Sequence, residues 1–316
     1  MHVNAAVRVA VLIPCFNEAA TVAAVVGAFR QHLPGATIYV YDNNSQDDTK
    51  EVAIRAGAVV RSAAYQGKGN VIRRMFADAE ADVYVLVDGD GTYHAGDAPR
   101  LVSKLLQEGL DMVVGARVSE EQAAYRAGHR FGNVMLTQVA ATIFGRSFTD
   151  MLSGYRVFSR RYVKSFPAHS SGFETETELT IHALELRMPV AEMETPYSSR
   201  PEGSESKLST YRDGCRILLM ILKLFKAEKP LLFFSIGFGI CTLVSLLLAL
   251  PLLDTYLQTG LVPRLPTALL CVALMLFGAI LLVCGIVLDT VTRGRSEAKR
   301  FAYLSVPATV SQDPRE

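Results

Sequence analysis

Residues 83–92 read VYVLVDGDGT: five apolar residues, Val83 to Val87, run without interruption into Asp88-Gly89-Asp90-Gly91-Thr92. A short apolar run bounded by turn residues has the form of a strand buried on both faces, as strands of a parallel sheet are. Two carboxylates separated by one glycine at the carboxyl end of such a strand suit Mg2+ or Mn2+. These hard cations take one or two protein carboxylates and complete their shell with water and substrate phosphates. A lone Asp-x-Asp is commonly an ordinary turn, so its surroundings decide its meaning. Arg8–Ile13, Thr37–Tyr41, Val59–Ser62 and Met112–Gly115 read as further strands. Amphipathic segments near Thr21–His32, Asp47–Ala56, Asn70–Ala79 and Asp97–Glu108 alternate with them. The alternation predicts an α/β domain with a Rossmann-like, mostly parallel sheet covered on both faces. Ligands of such sheets bind beyond the carboxyl ends of the strands, which directs attention to the polar residues there.

The first strand runs into Pro14-Cys15-Phe16-Asn17-Glu18 and the second into Asp42-Asn43-Asn44-Ser45. Asp42 is placed to accept hydrogen bonds from a base or ribose. Ser45, with Asp48 three residues on, reads as a capping box for the next helix. Gln66-Gly67-Lys68-Gly69-Asn70 lacks the first glycine and the hydroxyl residue of a P-loop; it reads as a plain turn at least as well as a turn offering a lysine and backbone amides to a phosphate. A basic and polar set follows: Arg117, then Arg126 and Arg130 at i and i+4, Ser153-Gly154-Tyr155-Arg156, and Arg200, Ser206 and Lys207. Scattered arginines are usually solvated surface. As a group they suit phosphate, because guanidinium presents its donors as a planar fork matched to phosphate oxygens. Glu174, Glu176 and Glu178 alternate in GFETETEL, residues 172–179. They read as acids favoured at a helix N-terminus.

Of 316 residues, 50% are hydrophobic and 20% charged, so the apolar excess must be concentrated somewhere. It lies in two uncharged stretches, Leu231 to Leu253 and Leu265 to Leu288, each longer than the roughly 20 residues that cross a bilayer core. Lys223, Lys226 and Lys229 precede the first stretch, and Arg293, Arg295, Lys299 and Arg300 follow the second. The connecting loop carries one acid and one base. This asymmetry predicts a transmembrane hairpin with both chain ends in the cytoplasm. Cys215 to Phe225 has helical amphipathic spacing, equally suited to a membrane interface and to packing on the globular domain. The expected division is therefore 1–210 for the catalytic domain, 211–229 for a juxtamembrane amphipathic helix and 230–290 for two transmembrane helices. Residues 291–316 are expected to form a cytoplasmic tail that is loose after Phe301. The apolar run Val7 to Ile13 is broken at once by Pro14 and Asn17 and reads as a strand, with no signal peptide. A net charge of +1 excludes the electrostatic footprint of a nucleic-acid binder. Five cysteines without CxxC spacing indicate neither a disulfide framework nor a zinc site.

Taken in order, VLIPCFNE (11–18), DNNSQDDT (42–49), Asp88-Gly89-Asp90, SGYR (153–156) and RPEGSESKL (200–208), ahead of a membrane hairpin, resemble family 2 glycosyltransferases of the GT-A fold. The chain looks most like the polyprenyl-phosphate, dolichol-phosphate mannose synthase-like branch. The resemblance implies that Pro14, Asn17, Glu18, Asp42 and Lys68 contact the nucleotide sugar and that Asp88 and Asp90 hold Mg2+ or Mn2+ at its diphosphate. It implies that Arg117, Arg130 and Ser153 hold an acceptor phosphate, while Arg200, Ser206 and Lys207 sit on a loop that closes over the donor. The chain departs from many relatives at Thr92, where a further polar metal contact, often Gln, is usual, and at Asn43-Asn44-Ser45 in the second motif.

The implied reaction moves a sugar from a nucleotide-diphospho-sugar, UDP-linked in preference to GDP-mannose, onto undecaprenyl or dolichyl phosphate for cell-envelope glycan or glycoprotein synthesis. It places the enzyme in the inner, cytoplasmic membrane. Two helices make a poor route for moving the product across, which implies a flippase or downstream transferase as partner; a homo-oligomer fits equally. The alternatives are a transferase acting on a hydroxyl acceptor, disfavoured because the chain has no tryptophan for the usual acceptor motif, and a non-catalytic scaffold for a flippase.

Overall fold

The computed structural model describes residues 7–118, 148–168, 174–198, 219, 222–223 and 225–308. They fall into two compact units, Met1–Ile217 with Ala298–Glu316, and Leu218–Glu297. In the first unit, strands and helices alternate as β1 (Val9–Cys15), α1 (Val22–His32), β2 (Thr37–Asp42), α2 (Thr49–Arg55), β3 (Val59–Ser62), α3 (Lys68–Asp78), β4 (Val83–Leu86), α4 (Ala98–Gln107) and β5 (Met112–Val118). Then come β6 (Arg156–Ser159), α5 (Arg160–Ser165), α6 (Thr175–Glu185) and β7 (Val190–Pro196). The seven strands form one sheet in the order β3-β2-β1-β4-β6-β5-β7. All neighbours are parallel except β6, which runs antiparallel between β4 and β5.

Side chains of successive strand residues point to opposite faces, and β1 shows the consequence. Val11, Ile13 and Cys15 join a core with Val22, Val26 and Phe29 of α1 and Leu101 of α4. Ala10 and Leu12 face the other core, with Ile72 and Met75 of α3, Tyr162 of α5 and Leu179 of α6. Both faces being covered, β4 is buried at every position, in keeping with its unbroken apolar run. The capping box expected at Ser45 does not form: α2 starts at Thr49, and the Ser45 hydroxyl accepts a hydrogen bond from the Asn17 amide at 2.9 Å.

The second unit holds α7 (Pro230–Thr259) and most of α8 (Leu265–Leu304), two helices long and apolar enough to cross a membrane. Their apolar side chains are mostly exposed, unlike those of a core helix in a soluble domain. They approach closely at glycines: Gly278 faces Phe238 and Cys241, Gly285 faces Leu231 and Phe234, and Ser245 donates to the Cys271 carbonyl at 3.0 Å. Such small residues let apolar helices pack where water supplies no driving force. The described residues among 219–228 are helical, with Leu219, Leu222, Lys223 and Lys226 exposed. The α8 helix continues through residues 291–304, where a tail was expected. Its last turns belong to the first unit: the Lys299 ammonium lies 2.5 Å from Glu185, and the Tyr303 hydroxyl donates to Asp111 at 2.8 Å. Asp111, fully buried, also binds the Arg161 guanidinium, and this pairing ties the segment down.

Candidate active site

The carboxyl ends of β2, β1 and β4 lie side by side, so the loops after them share one edge of the sheet. The first two loops are laced together. The Asn17 side chain accepts from the Gln46 amide at 2.8 Å, the Glu18 amide donates to the Thr49 hydroxyl at 2.8 Å, and the Ala19 amide donates to Asp47 at 3.1 Å. Asn17 sits at φ 54°, a left-handed conformation that asparagine tolerates better than most residues. Pro14 is the last but one residue of β1 and Asp42 the last of β2, and Asp42 is buried with one oxygen receiving the Ser45 amide at 3.3 Å.

Asn43 has a part that its sequence context concealed. Its amide nitrogen donates to the Tyr65 carbonyl at 2.8 Å and the Ala63 carbonyl at 3.3 Å, and its oxygen accepts from the Gly67 amide at 2.7 Å. One buried side chain thus clamps the β3–α3 turn and sets Lys68 at the head of α3. Lys68 turns into the site, its ammonium 2.5 Å from Asp88 and 2.5 Å from Glu176 in the first turn of α6. Burial works against a charged lysine, but the two carboxylates outweigh it and push its pKa up.

The Asp-x-Asp segment is held from several sides. The Thr21 hydroxyl donates to the Gly89 carbonyl at 2.6 Å. Asp90 is buried, and one of its oxygens accepts from both the Thr92 amide at 3.2 Å and the Thr92 hydroxyl at 2.7 Å. Thr92, the departure from many relatives, therefore fixes the carboxylate's orientation. Farther along, Tyr93 bridges to Tyr197, and the Ser198 amide donates to the Thr92 carbonyl at 3.0 Å, pinning this loop to the end of β7. Gly154 lies against Asp88 so closely that a Cβ would collide with the carboxylate, and its amide donates to the Tyr93 hydroxyl at 2.8 Å.

Arg117, at the end of β5, makes a two-pronged contact with buried Asp150, through Nε at 2.6 Å and Nη2 at 2.8 Å. Burial would raise the Asp150 carboxyl, but the hydrogen bonds and charge of Arg117 outweigh it and hold it below the usual carboxylate range. The guanidinium stacks over Tyr197, which meets Tyr93, which in turn meets Gly154, so Arg117 connects to Asp88 through aromatic contacts. Two other members of the expected basic and polar set are structural. Ser153 is fully buried, and its hydroxyl is spent on the Gly115 carbonyl at 2.6 Å, leaving it no proton for a phosphate. Arg156 is also fully buried and donates to the carbonyls of Ser153 and Met151 and the Thr180 hydroxyl. Arg126, Arg130, Arg200, Ser206 and Lys207 lie outside the described residues.

The donor set fits a small divalent cation in kind: two carboxylates, one oriented by Thr92 and the other given its space by Gly154, of the type that binds such a cation together with water and substrate phosphate oxygens. No cluster of three or more His, Cys, Asp or Glu side chains suited to a metal occurs among the described residues, and diphosphate chemistry does not require one.

The chain is similar to known proteins along most of its length. Glycosyltransferase AglJ of Haloferax volcanii is 35% identical over 300 residues, covering 94% of this chain and 98% of AglJ. A dolichyl-phosphate hexose transferase of the same organism is 26% identical over 221 residues, 70% of this chain and 95% of its own length. Crystal structures of glucosyl-3-phosphoglycerate synthase from Mycobacterium tuberculosis share the fold. The complex with phosphoglyceric acid gives a TM-score of 0.57 at 25% identity, over 70% of this chain and 79% of that one. The complex with Mn2+, UDP and glucosyl-3-phosphoglycerate gives 0.56 at 24% identity, over the same shares of the two chains, 70% and 79%. The mixed sheet is thus a GT-A-like catalytic domain. The model of glycosyl transferase family 2 matches residues 10–166, and with the AglJ similarity spanning almost the whole sequence, the chain belongs to that family.

Proposed function

We propose that this glycosyltransferase moves a sugar from a nucleotide-diphospho-sugar, a UDP-sugar first and GDP-mannose as the alternative donor, onto a membrane polyprenyl phosphate, undecaprenyl or dolichyl. The observation that carries the reading is the coupling, in one chain, of an Asp-x-Asp pair at the sheet's carboxyl edge with two helices of bilayer length. The similarity to a dolichyl-phosphate hexose transferase supports the acceptor class, and the Mn2+ and UDP bound to the mycobacterial synthase support the donor and cofactor class. The helices form a hairpin in the cytoplasmic membrane with the catalytic domain on the cytosolic side, because the basic residues flank the ends and not the connecting loop.

The chemistry needs little from the protein beyond placement and charge. A phosphomonoester has its second pKa at about 6, so a polyprenyl phosphate is a dianionic nucleophile near neutrality and needs no general base. Its oxygen forms a bond to the anomeric carbon as the bond from that carbon to the nucleoside diphosphate breaks. The displacement is in-line and inverting, and no proton moves. Asp88 and Asp90 would hold Mg2+ or Mn2+, which would supply positive charge to the departing diphosphate. Pro14, Asn17, Glu18 and Asp42 form the nucleoside cradle. Lys68 reaches the donor phosphates by leaving Asp88, with Glu176 keeping its charge matched. Arg117, aligned by Asp150, and Arg130 hold the acceptor phosphate; Ser153 has no such part. Arg200, Ser206 and Lys207 close over the donor from a segment that begins just past Ser198, whose amide is bonded at Thr92.

The test is to incubate the detergent-purified protein with UDP- and GDP-sugars and Mn2+ or Mg2+, with and without polyprenyl phosphate. Nucleoside diphosphate release and a lipid-linked sugar should appear only when the lipid is present. Release that does not depend on the lipid would overturn the acceptor assignment.

A further inference from the structure

A second, separate feature lies in the unit Leu218–Glu297. Here a cavity of about 300 Å³ opens between the helical turn that precedes α7 and the late turns of α8. That volume is at the small end for ligand sites and sufficient for a compact polar headgroup. Three cations line it, Lys223, Lys226 and Arg295, together with the Thr292 hydroxyl and the aliphatic walls of Leu288 and Val291.

The wall is built in part. The Thr292 hydroxyl and Arg295 Nη2 both donate to the Ala227 carbonyl, at 3.3 and 3.2 Å, and Nη2 also meets Glu228 at 3.1 Å. Arg295 Nε is buried without a hydrogen-bond partner, a donor whose desolvation nothing repays. Neither Lys223 nor Lys226 makes an ion pair among the described residues. The nearby acids are already engaged, Glu228 with Arg295 and Asp289 with Arg293. The cavity therefore carries excess positive charge.

Its level along the helices identifies the ligand. The uncharged stretch of α8 ends at Leu288 and that of α7 begins after Lys229. With α7 and α8 across a bilayer, Leu288 and Val291 would lie where hydrocarbon gives way to water, and the three cations on the aqueous side. Apolar wall below and cations above match a lipid whose chain stays in the bilayer while its headgroup phosphate rises out of it.

We propose that this cavity binds the phosphate of an anionic lipid headgroup. The proposal rests on α7 and α8 spanning the membrane. The phosphate belongs either to a bulk anionic phospholipid or to a polyprenyl phosphate held near the protein before reaction.

The full-length protein is reconstituted into nanodiscs of phosphatidylcholine alone, with phosphatidylglycerol, or with polyprenyl phosphate, and retained lipid is measured by mass spectrometry after gentle detergent extraction. The wild type should retain the phosphate-bearing lipid in preference to phosphatidylcholine. K223Q/K226Q, which alters two exposed side chains, should lower that preference on the order of tenfold, and R295Q should lower it as well. Enrichment of phosphatidylglycerol assigns the site to bulk lipid; enrichment of polyprenyl phosphate alone assigns it to the acceptor lipid. Equal retention of all lipids by the wild type, an unchanged preference in K223Q/K226Q, or full displacement by millimolar inorganic phosphate overturns the proposal. The spanning assumption is checked separately: the wild type in pure phosphatidylcholine vesicles must stay with the lipid through alkaline extraction. Release there would remove the membrane reading itself, whereas firm retention without lipid preference would remove only the cavity site.

Discussion

The ammonium of Lys68 lies 2.5 Å from the carboxylate of Asp88, so the base at the head of α3 is bound to the first acid of the Asp-x-Asp pair. Glu176 holds the same ammonium from the other side at 2.5 Å. The three groups form a partly buried charge cluster in which one cation serves two anions, and its energetics can be separated by substitution. K68M removes the cation the two carboxylates share and should cost about 1–3 kcal/mol of stability, since Asp88 is partly open to water and Glu176 still feels the charge of Arg156. E176Q should cost less, because Asp88 still pairs with the lysine. The double variant K68M/E176Q should recover part of the K68M loss, as read in denaturant unfolding of the detergent-solubilised protein. A strictly additive double variant would show that the pair does not couple.

In the Asp-x-Asp pair, Asp90 has its direction fixed by the amide and hydroxyl of Thr92. D90N should lower sugar transfer at least about a hundredfold with the melting temperature little changed. T92V keeps the backbone hydrogen bond and loses the hydroxyl, so its activity should fall about tenfold. Full activity of purified D90N would remove the metal role of this carboxylate.

Gly154 is a glycine for reasons of space, since its Cβ would collide with the Asp88 carboxylate. G154A should therefore push Asp88 aside and raise the Mn2+ concentration for half-maximal transfer on the order of tenfold. Titration of activity against Mn2+ reads this directly. An unchanged Mn2+ requirement would show that Asp88 does not approach the metal.

His182 is buried with its Nε2 3.0 Å from the Ser165 hydroxyl, and burial, aided by Lys299, lowers its pKa from 6.5 to about 3. The folded value lies below the unfolded one, so between the two the unfolded chain binds a proton that the folded chain refuses. The stability contributed by neutral His182 is complete above pH 6.5 and is lost as the pH falls toward 3, by at most about 1.4 kcal/mol per unit. H182Q cannot be protonated. The difference in melting temperature between wild type and H182Q should shift in favour of H182Q as the pH is lowered from about 7 to about 5. A difference independent of pH would place the proton elsewhere.

Strands β1 to β5 and helices α1 to α4 were legible because each carries its own period, and their ends fell within a few residues of the expected positions. β6 was not, because Arg156-Val157-Phe158-Ser159 is four residues long and opens with what reads as a surface cation. In the fold that arginine is a buried bracket between two carbonyls and a threonine, with no anion among its hydrogen-bond partners. Pattern reading assigns charge to solvent or to ligand and has no third category for it. The Lys68–Glu176 pair was illegible for a different reason: the two residues meet only because α3 and α6 cover the same face of the sheet. Ser45 shows the converse failure, a sound local cap signal overridden by a partner in the neighbouring loop.

The antiparallel course of β6 also bears on how the enzyme can diversify. The chain leaves the sheet at Val118 and returns at Arg156, which pairs beside Val114, so both roots of the 119–155 connection stand on the edge that carries Asp88 and Asp90. A connection whose two ends share an edge can lengthen at little entropic cost, about 0.6 kcal/mol per doubling, without any strand changing its register. The sheet can thus accept connections of different length between Val118 and Phe148 with its strand register unchanged, whereas 148–155 cannot be exchanged so freely, because Asp150 binds Arg117 and Gly154 packs against Asp88.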